Sequence, residues 1–360
     1  MPAEILHRQQ VEFDVRRLRS FYQDKRVLVT GAAGSIGSAL CTQLADLGCA
    51  HLSMVDQFDH GLLTISEAVQ RGAPRLQISD SLCDIRDEGR LAMCMSRLQP
   101  DVVIHAAALK HVHMGERHPD ECVLTNLVGV RNALSAAVNA GAQHFMLISS
   151  DKAAAPTCVM GATKRLAELY LAGFQLERSC RTRLRSVRFG NVIGSQGSVL
   201  PRFLDQIASG GPLEVTHESM ARYFMTDEEA VGLILSVTAM PDDGDPGAGS
   251  YFMEMGELVS IMELGRALIR QSGRDVPIEI TGLRPGEKLT EELFDEYEQV
   301  VPTSLPNVFR IRPEAQDAYV TSGDIAELEA TARTMEHSRI RQRIFTQLDQ
   351  RLKRRELLAG

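Results

Sequence analysis

Short apolar runs alternate with amphipathic stretches along the first 190 residues of this chain. The runs are short and rich in β-branched residues, as buried strands are. They lie at residues 25–30, 51–55, 76–80, 101–105, 144–148 and 184–189. Between them, apolar positions recur at helical spacing, as at Leu40, Leu44 and Leu47. Strands that alternate with helices predict an α/β fold with a doubly wound parallel sheet, whose ligands bind at the carboxyl ends of the strands.

A glycine-rich turn, Gly31-Ala-Ala-Gly34-Ser-Ile-Gly37, follows the first predicted strand at once and opens a helix. Strand, glycine turn and helix are the context that a dinucleotide-binding fingerprint requires. Gly31 permits the tight turn, and Gly34 lets the backbone approach a pyrophosphate at the helix N-terminus. Gly37 allows close packing of helix and strand. The sequence therefore predicts a Rossmann-type fold.

Further residues at predicted strand ends suit a dinucleotide. Asp56 ends the second strand, where a carboxylate accepts hydrogen bonds from the adenosine ribose and repels a 2′-phosphate, which favours NAD over NADP. The alternative is that Asp56 only caps the next helix. Asp84-Ile85 lie where such folds contact adenine, and Ala106-Ala107 are small enough for the cofactor to lie against the strand end. Asn126 lies on a helix predicted over 119–140.

The regular alternation ends near Gly190, beyond which glycines and prolines separate shorter elements. Helices are predicted near 201–208, 227–239 and 260–271, and strands near 213–216, 250–254 and 277–281. We divide the chain into four parts. These are an N-terminal arm (1–25), an NAD-binding Rossmann domain (26–190) to which some later segments return, a smaller α/β substrate-binding region (191–321) and a helical tail (322–360).

The stretch from Ser149 to Lys164 carries the candidate chemistry. Ser149 and Lys164 invite comparison with the Ser/Thr, Tyr and Lys triad of short-chain dehydrogenase/reductases, but Met160 stands at the tyrosine position. A thioether neither donates nor accepts a catalytic proton. Either the protein is inactive or the proton chemistry lies elsewhere, and Asp151-Lys152 are then the candidates. The alternative for these two residues is a solvated loop pair.

Composition and charge argue against several classes of protein. The net charge of −8 argues against a nucleic-acid partner. Seven cysteines without paired spacing fit a reducing compartment, and no Cys/His cluster has zinc spacing, so no metal is predicted. No apolar run reaches the roughly 18–20 residues of a membrane span. The N-terminus lacks the apolar segment of a secretory signal, so a cytoplasmic location is expected.

The basic tail carries an apolar stripe of Ile340, Ile344, Leu348 and Leu352. This spacing predicts a helix that docks through its apolar face and leaves its basic face in solvent. A role at a membrane surface is the alternative.

Several segments, taken in order, resemble one family. They are residues 29–38, 105–112, 151–153, 159–165, 188–192, 197–201, 221–226, 255–257 and 282–288. The chain is similar to nucleotide-sugar 4,6-dehydratases of the extended short-chain dehydrogenase/reductase superfamily. The branch it resembles most is the bacterial polysaccharide-biosynthesis UDP-N-acetylglucosamine 4,6-dehydratases, many of which carry methionine at the tyrosine position. Departures from the family pattern, at His113, Ala155 and Cys158, leave the fine substrate preference open.

The resemblance implies a redox-neutral reaction with NAD as cofactor, a UDP-sugar as favoured substrate and a homo-oligomer. The expected catalytic residues are Asp151 as acid at C6, Lys152 as base at C5, Lys164, Ser150 and Met160. Expected cofactor contacts are Gly31, Gly34, Ser35, Ile36, Gly37, Asp56, Asp84, Ile85, Ala106, Ala107, Lys110, Asn126, Ser149 and Lys164. Expected substrate contacts are Asn191, Val199, Arg222, Arg284 and Glu287. The alternatives are a nucleotide-sugar 4-epimerase and a catalytically silent NAD-binding regulator.

Overall fold

Nine strands of the described chain form one sheet. The computed structural model describes residue 8 and residues 10–178, 181–241, 248–312 and 319–359. The strands of this sheet are β1 Arg26–Thr30, β2 His51–Asp56, β3 Gln77–Leu82, β4 Val102–His105, β5 His144–Ile148, β6 Arg183–Arg188, β11 Gly249–Met253, β14 Val300–Pro302 and β15 Val308–Ile311. Across the sheet they lie in the order β14-β15-β11-β6-β5-β4-β1-β2-β3. From β3 to β11 all neighbours are parallel, whereas β15 and β14 are antiparallel to their neighbours. The predicted doubly wound parallel sheet is therefore confirmed.

Helices connect and cover these strands. In chain order they are α1 Val15–Tyr22, α2 Ser35–Leu47, α3 Asp59–Gly72, α4 Glu88–Leu98, α5 Val112–Arg117, α6 Pro119–Val123, α7 Gly129–Asn139, α8 Val159–Arg178, α9 Val199–Ala208, α10 Asp227–Thr238, α11 Ile261–Ser272, α12 Ser322–Ala332 and α13 His337–Ala359. Within the described residues no helix is long and apolar enough to cross a membrane.

Both faces of the large sheet are buried. Along β5, Phe145 and Leu147 join one apolar cluster, whereas Met146 and Ile148 join another. Successive side chains of a strand point to opposite faces, so the two clusters lie on opposite sides of the sheet. A strand covered on both faces reads as a continuous apolar run, which is why the sequence signal at 144–148 was strong.

Later segments add both to the large sheet and to a smaller region. Strands β11, β14 and β15 come from residues 191–321 but lie in the large sheet. Three two-stranded sheets use β7 Asn191–Val192, β8 Leu213–Val215, β9 Ala221–Arg222, β10 Phe224–Met225, β12 Val259–Ser260 and β13 Ile278–Ile280. A third apolar cluster joins α9, α11 and β8 through residues such as Phe203, Leu213 and Leu264. Strands β14 and β15 had not been expected from the sequence.

The helix predicted over 119–140 is not one regular α-helix. A π-helical segment, Leu124–Val128, separates α6 from α7. Asn126 lies within this wider turn and is fully buried. Short π segments interrupt helices frequently at functional sites. Apolar spacing could not reveal the interruption, because the same face stays buried on both sides of it.

Both ends of the described chain dock on the domain. Arg8 donates hydrogen bonds to Glu229 at the start of α10, and Leu18 and Tyr22 of α1 are buried. In the tail, Ile340 and Ile344 of α13 are buried in the same cluster as Phe145, which confirms the docked helix there. Leu348 is buried likewise, whereas the side chain of Leu352 lies outside the described residues.

Candidate active site

The glycine turn is packed too closely for side chains. A Cβ on Gly31, which has φ +69°, would lie 2.5 Å from the amide nitrogen of Ala107. A Cβ on Gly37 would lie 1.9 Å from the carbonyl oxygen of Gly31. Gly34 is the N-cap residue of α2 and has no side chain with which to cap the helix. The first amides of α2 are thus left for an anion, and Ala106-Ala107 lie directly beside the turn.

Asp56 and Ser35 complete the rim of this turn. The Asp56 carboxylate accepts hydrogen bonds from the amides of Ala33 (2.9 Å) and Phe58 (3.0 Å). Because α3 begins after Phe58, Asp56 precedes the N-cap residue of that helix. The Ser35 hydroxyl accepts a hydrogen bond from the amide of Gln196, 3.1 Å away. The loop after β7 therefore lies against the glycine turn of residues 31–37, which we call the cofactor-type turn. Ile36 packs against the apolar cluster that contains Met146 and Ile148.

Asp84 and Ile85 differ in how they could serve an adenine site. The Asp84 carboxylate is paired with Arg86 (2.6 Å), and although burial opposes it, this pairing lowers the pKa of Asp84. Ile85 is buried against Gly129 of α7, where a Cβ would lie 2.4 Å from the Ile85 Cδ1. The Asp84 carboxylate is thus already paired with Arg86, and Ile85 contributes an apolar side chain that packs against α7.

Asn126 holds the loop that follows β4. Its Oδ1 accepts a hydrogen bond from the Leu109 amide (2.9 Å), and its Nδ2 donates to the Leu109 carbonyl (3.1 Å) and to the Thr163 hydroxyl (3.2 Å). Lys110, the next residue in this loop, is exposed. Asn126 therefore shapes the predicted cofactor site by fixing loop backbone, with its amide already committed to protein partners.

Lys164 and Ser149 meet at the end of β5. The Lys164 ammonium donates a hydrogen bond of 2.8 Å to the carbonyl of Ile148, the last residue of β5. Burial lowers the pKa of Lys164 to about 8, against a smaller opposing effect of Glu168. The Ser149 hydroxyl donates to Glu168 at 2.6 Å. Lys164 is thus a buried cation that titrates close to neutrality at the carboxyl edge of the sheet.

Asp151 and Lys152 form a short 3₁₀ turn directly after this strand end. Asp151 is 1% exposed, and its Oδ1 accepts hydrogen bonds from the Ser150 hydroxyl and from the Lys152 ammonium, each at 2.9 Å. Asp151 Oδ2 is buried with no hydrogen-bond partner among the described residues. A solvated loop pair would be exposed, so this alternative does not describe Asp151 and Lys152.

Lys152 is not the neutral amine that a base at C5 requires. Burial alone would lower its pKa, but the charges of Asp151 and Glu291 and the hydrogen bond to Asp151 raise it above its ordinary value. The site as it stands therefore favours the ammonium form. Desolvation, which favours the neutral amine, is thus outweighed by two carboxylates.

Glu291 is the residue of this site that sequence reasoning missed. Its Oε1 lies 3.7 Å from the Lys152 Nζ, and the side chain is buried. Burial raises the pKa of Glu291, with Lys152 as the largest opposing charge. The sequence gives little indication that Glu291 belongs to the site. This residue follows the Gly282–Lys288 segment in a region without regular structure, and no local pattern distinguishes it from its exposed neighbour Glu292.

Met160 lies in the first turn of α8 and is 2% exposed. A Cβ added to Gly115 of α5 would lie 3.3 Å from the Met160 Cβ, so the two helices meet closely here. The thioether is thus a packed apolar side chain next to the turn that holds Asp151. Proton transfer at this position is excluded by its chemistry.

The predicted substrate residues lie on the smaller region and its loops. The Asn191 amide donates a hydrogen bond to the Tyr223 carbonyl (2.9 Å) where β7 pairs with β10, and Val199 begins α9. Glu287 accepts a hydrogen bond from the Arg284 amide (3.1 Å), so its carboxylate closes the turn around Pro285-Gly286. All four residues are at least partly accessible.

Arg222 is placed differently from the expectation. It is buried, and its guanidinium donates to the carbonyls of Leu289 and Lys288, each at 2.8 Å. It also lies 4.0 Å from the Glu291 carboxylate. Arg222 therefore fastens the segment that carries Glu291, and its role as a nucleotide contact stays a prediction.

Comparison of the sequence with known proteins assigns the chain to a family. A family model described as "Polysaccharide biosynthesis protein" matches residues 27–313. The chain belongs to this family. EpsC of Bacillus subtilis (strain 168), named a probable polysaccharide biosynthesis protein, is 40% identical over 309 residues, which are 85% of this chain and 51% of EpsC. The chain thus spans about half the length of that relative, and the predicted polysaccharide-biosynthesis branch is confirmed.

Two further relatives are matched over most of their own length. The inverting UDP-N-acetylglucosamine 4,6-dehydratase of Campylobacter jejuni (serotype O:2) is 31% identical over 294 residues, covering 81% of this chain and 84% of the relative. The UDP-glucose 4-epimerase of Rickettsia rickettsii (strain Sheila Smith) is 31% identical over 303 residues, covering 82% and 85%. The chain is therefore related to enzymes that modify nucleotide sugars.

Solved structures agree with the fold. Pen from Bacillus thuringiensis superposes with a TM-score of 0.74 at 31% identity, covering 87% of this chain and 98% of Pen. Epimerase and dehydratase structures that contain NAD superpose with TM-scores of 0.63–0.65 at 22–24% identity. At that identity the likeness shows the fold alone, which is the Rossmann-type fold of nucleotide-sugar epimerases and dehydratases.

Proposed function

We propose that this chain catalyses NAD-dependent 4,6-dehydration of a nucleotide-activated sugar, with UDP-N-acetylglucosamine as substrate and UDP-2-acetamido-2,6-dideoxy-4-hexulose as product. The observation that carries the proposal is the ion pair of the buried Asp151 with Lys152, directly after the strand end to which Lys164 is bound. Loss of water across C5 and C6 needs an acid and a base side by side. These two residues are the acid–base pair that this strand end presents.

The residues at the glycine turn fit a dinucleotide. Gly31 and Gly37 lie where a Cβ would collide with backbone, and the uncapped start of α2 suits a pyrophosphate. The Asp56 carboxylate, held by two backbone amides, suits a ribose diol and disfavours a 2′-phosphate. When bound, NAD would take hydride from sugar C4 and return it at C6.

Each catalytic side chain then has a defined task. The Lys164 ammonium orients ribose hydroxyls and favours negative charge that develops nearby. The Ser150 hydroxyl, which contacts Asp151, orients the C4 hydroxyl. Asp151 donates a proton to the departing C6 hydroxyl, and Lys152 takes the proton from C5, which the 4-ketone makes acidic. Arg284 and Glu287 recognise the diphosphate and the uridine ribose.

The same contacts favour a dehydratase over an epimerase. An epimerase oxidises C4 as well, but it has no use for an acid–base pair that eliminates water. Met160 cannot serve as the tyrosine that such enzymes usually retain, whereas the buried Asp151 is paired with Lys152. A silent NAD-binding regulator would have no need of buried, partly unpartnered carboxylates at this position.

The test is turnover in deuterated water. The purified chain, loaded with NAD, is incubated with UDP-N-acetylglucosamine, and the products are followed by mass spectrometry and NMR. A 4-keto-6-deoxy sugar with deuterium at C5 is expected. Asp151→Asn and Lys152→Ala should abolish turnover and leave NAD bound, whereas Asp205→Asn, at an exposed position on α9, should not change it. Formation of the C4 epimer without loss of water would favour the epimerase instead.

A further inference from the structure

Glu291 is a buried carboxyl group that shares the Asp151–Lys152 site. The residue is 5% exposed, and its Oε1 lies 3.7 Å from the Lys152 Nζ. Its other oxygen, Oε2, is buried and has no hydrogen-bond partner in the described part of the chain. Most buried polar side-chain atoms in folded proteins have a hydrogen-bond partner, so a carboxylate oxygen without one needs an explanation. An oxygen left without a partner beside a lysine indicates a group that exchanges protons or contacts a ligand.

The segment that carries Glu291 is held in place by hydrogen bonds to β9 and to the turn that follows Lys152. Arg222 binds the carbonyls of Lys288 and Leu289, and the Ala221 amide donates to the same Leu289 carbonyl (3.0 Å). The Lys288 ammonium donates to the carbonyl of Ala154, 3.2 Å away in the turn after Lys152. These contacts bridge the sequence distance between Lys152 and Glu291, so the proximity of the two side chains is enforced by the fold.

Transfer of a proton from Lys152 to Glu291 leaves the net charge of their surroundings unchanged. Two carboxyl groups, Asp151 and Glu291, face the Lys152 ammonium, and Arg222 lies 4.0 Å from Glu291. The Lys288 charge also acts on Glu291. If Lys152 gives its proton to Glu291, both become uncharged, while Asp151, Arg222 and Lys288 keep their charges. Because no net charge is created, a low-dielectric site permits this transfer more readily than loss of a proton to solvent.

We propose that Glu291 takes the proton of the Lys152 ammonium and thereby frees this amine to act as the base at C5. The inference rests on the proposed function and supplies what that function lacked, a route to the neutral amine. Shortening of the Nζ–Oε1 distance by about 0.8 Å brings the pair to hydrogen-bond length. Glu291 acts through Lys152 and is therefore a positioning residue in this mechanism.

The proton balance then closes without any further reactant. The C4 hydroxyl proton passes to the Asp151 carboxylate as hydride leaves C4. Lys152, neutral once Glu291 holds its proton, takes the C5 proton, and Asp151 gives its proton to the C6 oxygen, which leaves as water. When hydride returns to C6, the Lys152 ammonium gives a proton back to C5. Glu291 keeps its proton throughout, so the net change is substrate to product and water.

The experiment compares Glu291→Gln with Glu291→Asp and with Glu292→Gln, a change at the exposed neighbour. Turnover and deuterium incorporation at C5 are measured across pH, together with the NAD content. In Glu291→Gln we expect both rates to fall at least about 100-fold near neutral pH. The rates should recover partly at alkaline pH, where solvent deprotonates Lys152. Glu291→Asp should keep the wild-type pH profile, and Glu292→Gln should match the wild type throughout.

A purely structural role predicts something else, namely a lower rate in Glu291→Gln with an unshifted pH profile, or a wild-type rate. Either result would overturn the inference. If Glu291→Gln fails to fold, infrared difference spectra of the wild type and Glu291→Asp, recorded on addition of NAD and UDP-N-acetylglucosamine, replace it. A protonated-carboxyl band that appears in the wild type and moves in Glu291→Asp supports the proposal, and its absence contradicts it. A wild type without turnover contradicts the proposed function, whereas an active wild type matched by Glu291→Gln contradicts this inference alone.

Discussion

Ser149 donates a hydrogen bond of 2.6 Å to Glu168, and this bond joins the candidate active site to a buried network of charges. Glu168 also pairs with Arg188 at 2.6 Å, and Arg188, which is 0% exposed, pairs in turn with Glu298 at 2.7 Å. Arg165 lies 2.6 Å from Glu298 and completes the network. The strand end that carries Ser149 is therefore anchored on two arginines and two glutamates beneath it.

Glu168→Gln should destabilise the folded chain strongly. The change leaves the buried Arg188 guanidinium with one carboxylate partner, and breaking a buried pair in this way costs roughly 3–5 kcal/mol. The measurement is the free energy of unfolding by urea denaturation. The Ser149 contact is lost as well, so we expect weaker NAD binding in the fraction that folds.

The matched control is Glu263→Gln on α11, whose partner Arg266 lies 2.6 Å away on the surface. An exposed pair of this kind contributes less than about 1 kcal/mol. Equal losses in the two variants would mean that the buried network is no more important than a surface pair.

Lys164 should make stability rise with pH in a defined window. Because burial lowers its pKa from 10.5 to about 8, the folded chain binds fewer protons at this site than the unfolded chain between these values. The free energy of unfolding therefore increases as pH rises through this window, by up to roughly 3 kcal/mol. Below about pH 8 both states carry the proton, and the cost of the buried charge is present in full.

The measurement is urea denaturation of the wild type and of Lys164→Met at a series of pH values. The other titrating groups largely cancel in the difference between the two chains. The wild type should gain stability relative to Lys164→Met from pH 8 upwards. Parallel curves would show that Lys164 titrates in the folded chain as it does in the unfolded one.

Asn126→Ala should weaken NAD binding without touching the cofactor-type turn. The change leaves the amide and the carbonyl of Leu109 without their partner and costs about 1–3 kcal/mol of stability. The loop beside Ala107 then loses its anchor. Thermal unfolding and calorimetric titration with NAD measure the two effects. Asn139→Ala, at the exposed end of α7, is the control and should change neither quantity; similar behaviour of the two variants would contradict the anchoring role.

Gly37→Ala should lower the affinity for NAD at least about tenfold, because the added Cβ would lie 1.9 Å from the Gly31 carbonyl oxygen and the turn must move. Equilibrium titration with NAD measures the loss. Gly72→Ala at the end of α3 is the control, since no heavy atom lies within 4 Å of its added Cβ. That change should leave NAD binding intact and stabilise the chain by about 0.4–1 kcal/mol. An unchanged affinity in Gly37→Ala would show that the turn tolerates a side chain.

Local signals account for what sequence reasoning found. The strand that ends at Ile148 and the turn from Gly31 to Gly37 were predicted because strand period and glycine geometry are properties of a few neighbouring residues. The same holds for Asp151 and Lys152, which follow a strand end and so had to lie at the carboxyl edge of the sheet. The family resemblance added the reaction class, and its family is confirmed by the match over residues 27–313.

The sequence by itself thus determined the α/β class, the cofactor-type turn and the strand end that presents Asp151 and Lys152. Only the tertiary structure decided the direction in which the pKa of Lys152 is shifted, because this shift depends in part on Glu291, which is remote in sequence. It also decided that Arg222 binds backbone carbonyls and that the helix around Asn126 opens into a π turn. Electrostatic energies depend on distances between side chains. The distance between two residues that are far apart in sequence cannot be read from the local pattern of residues around either of them.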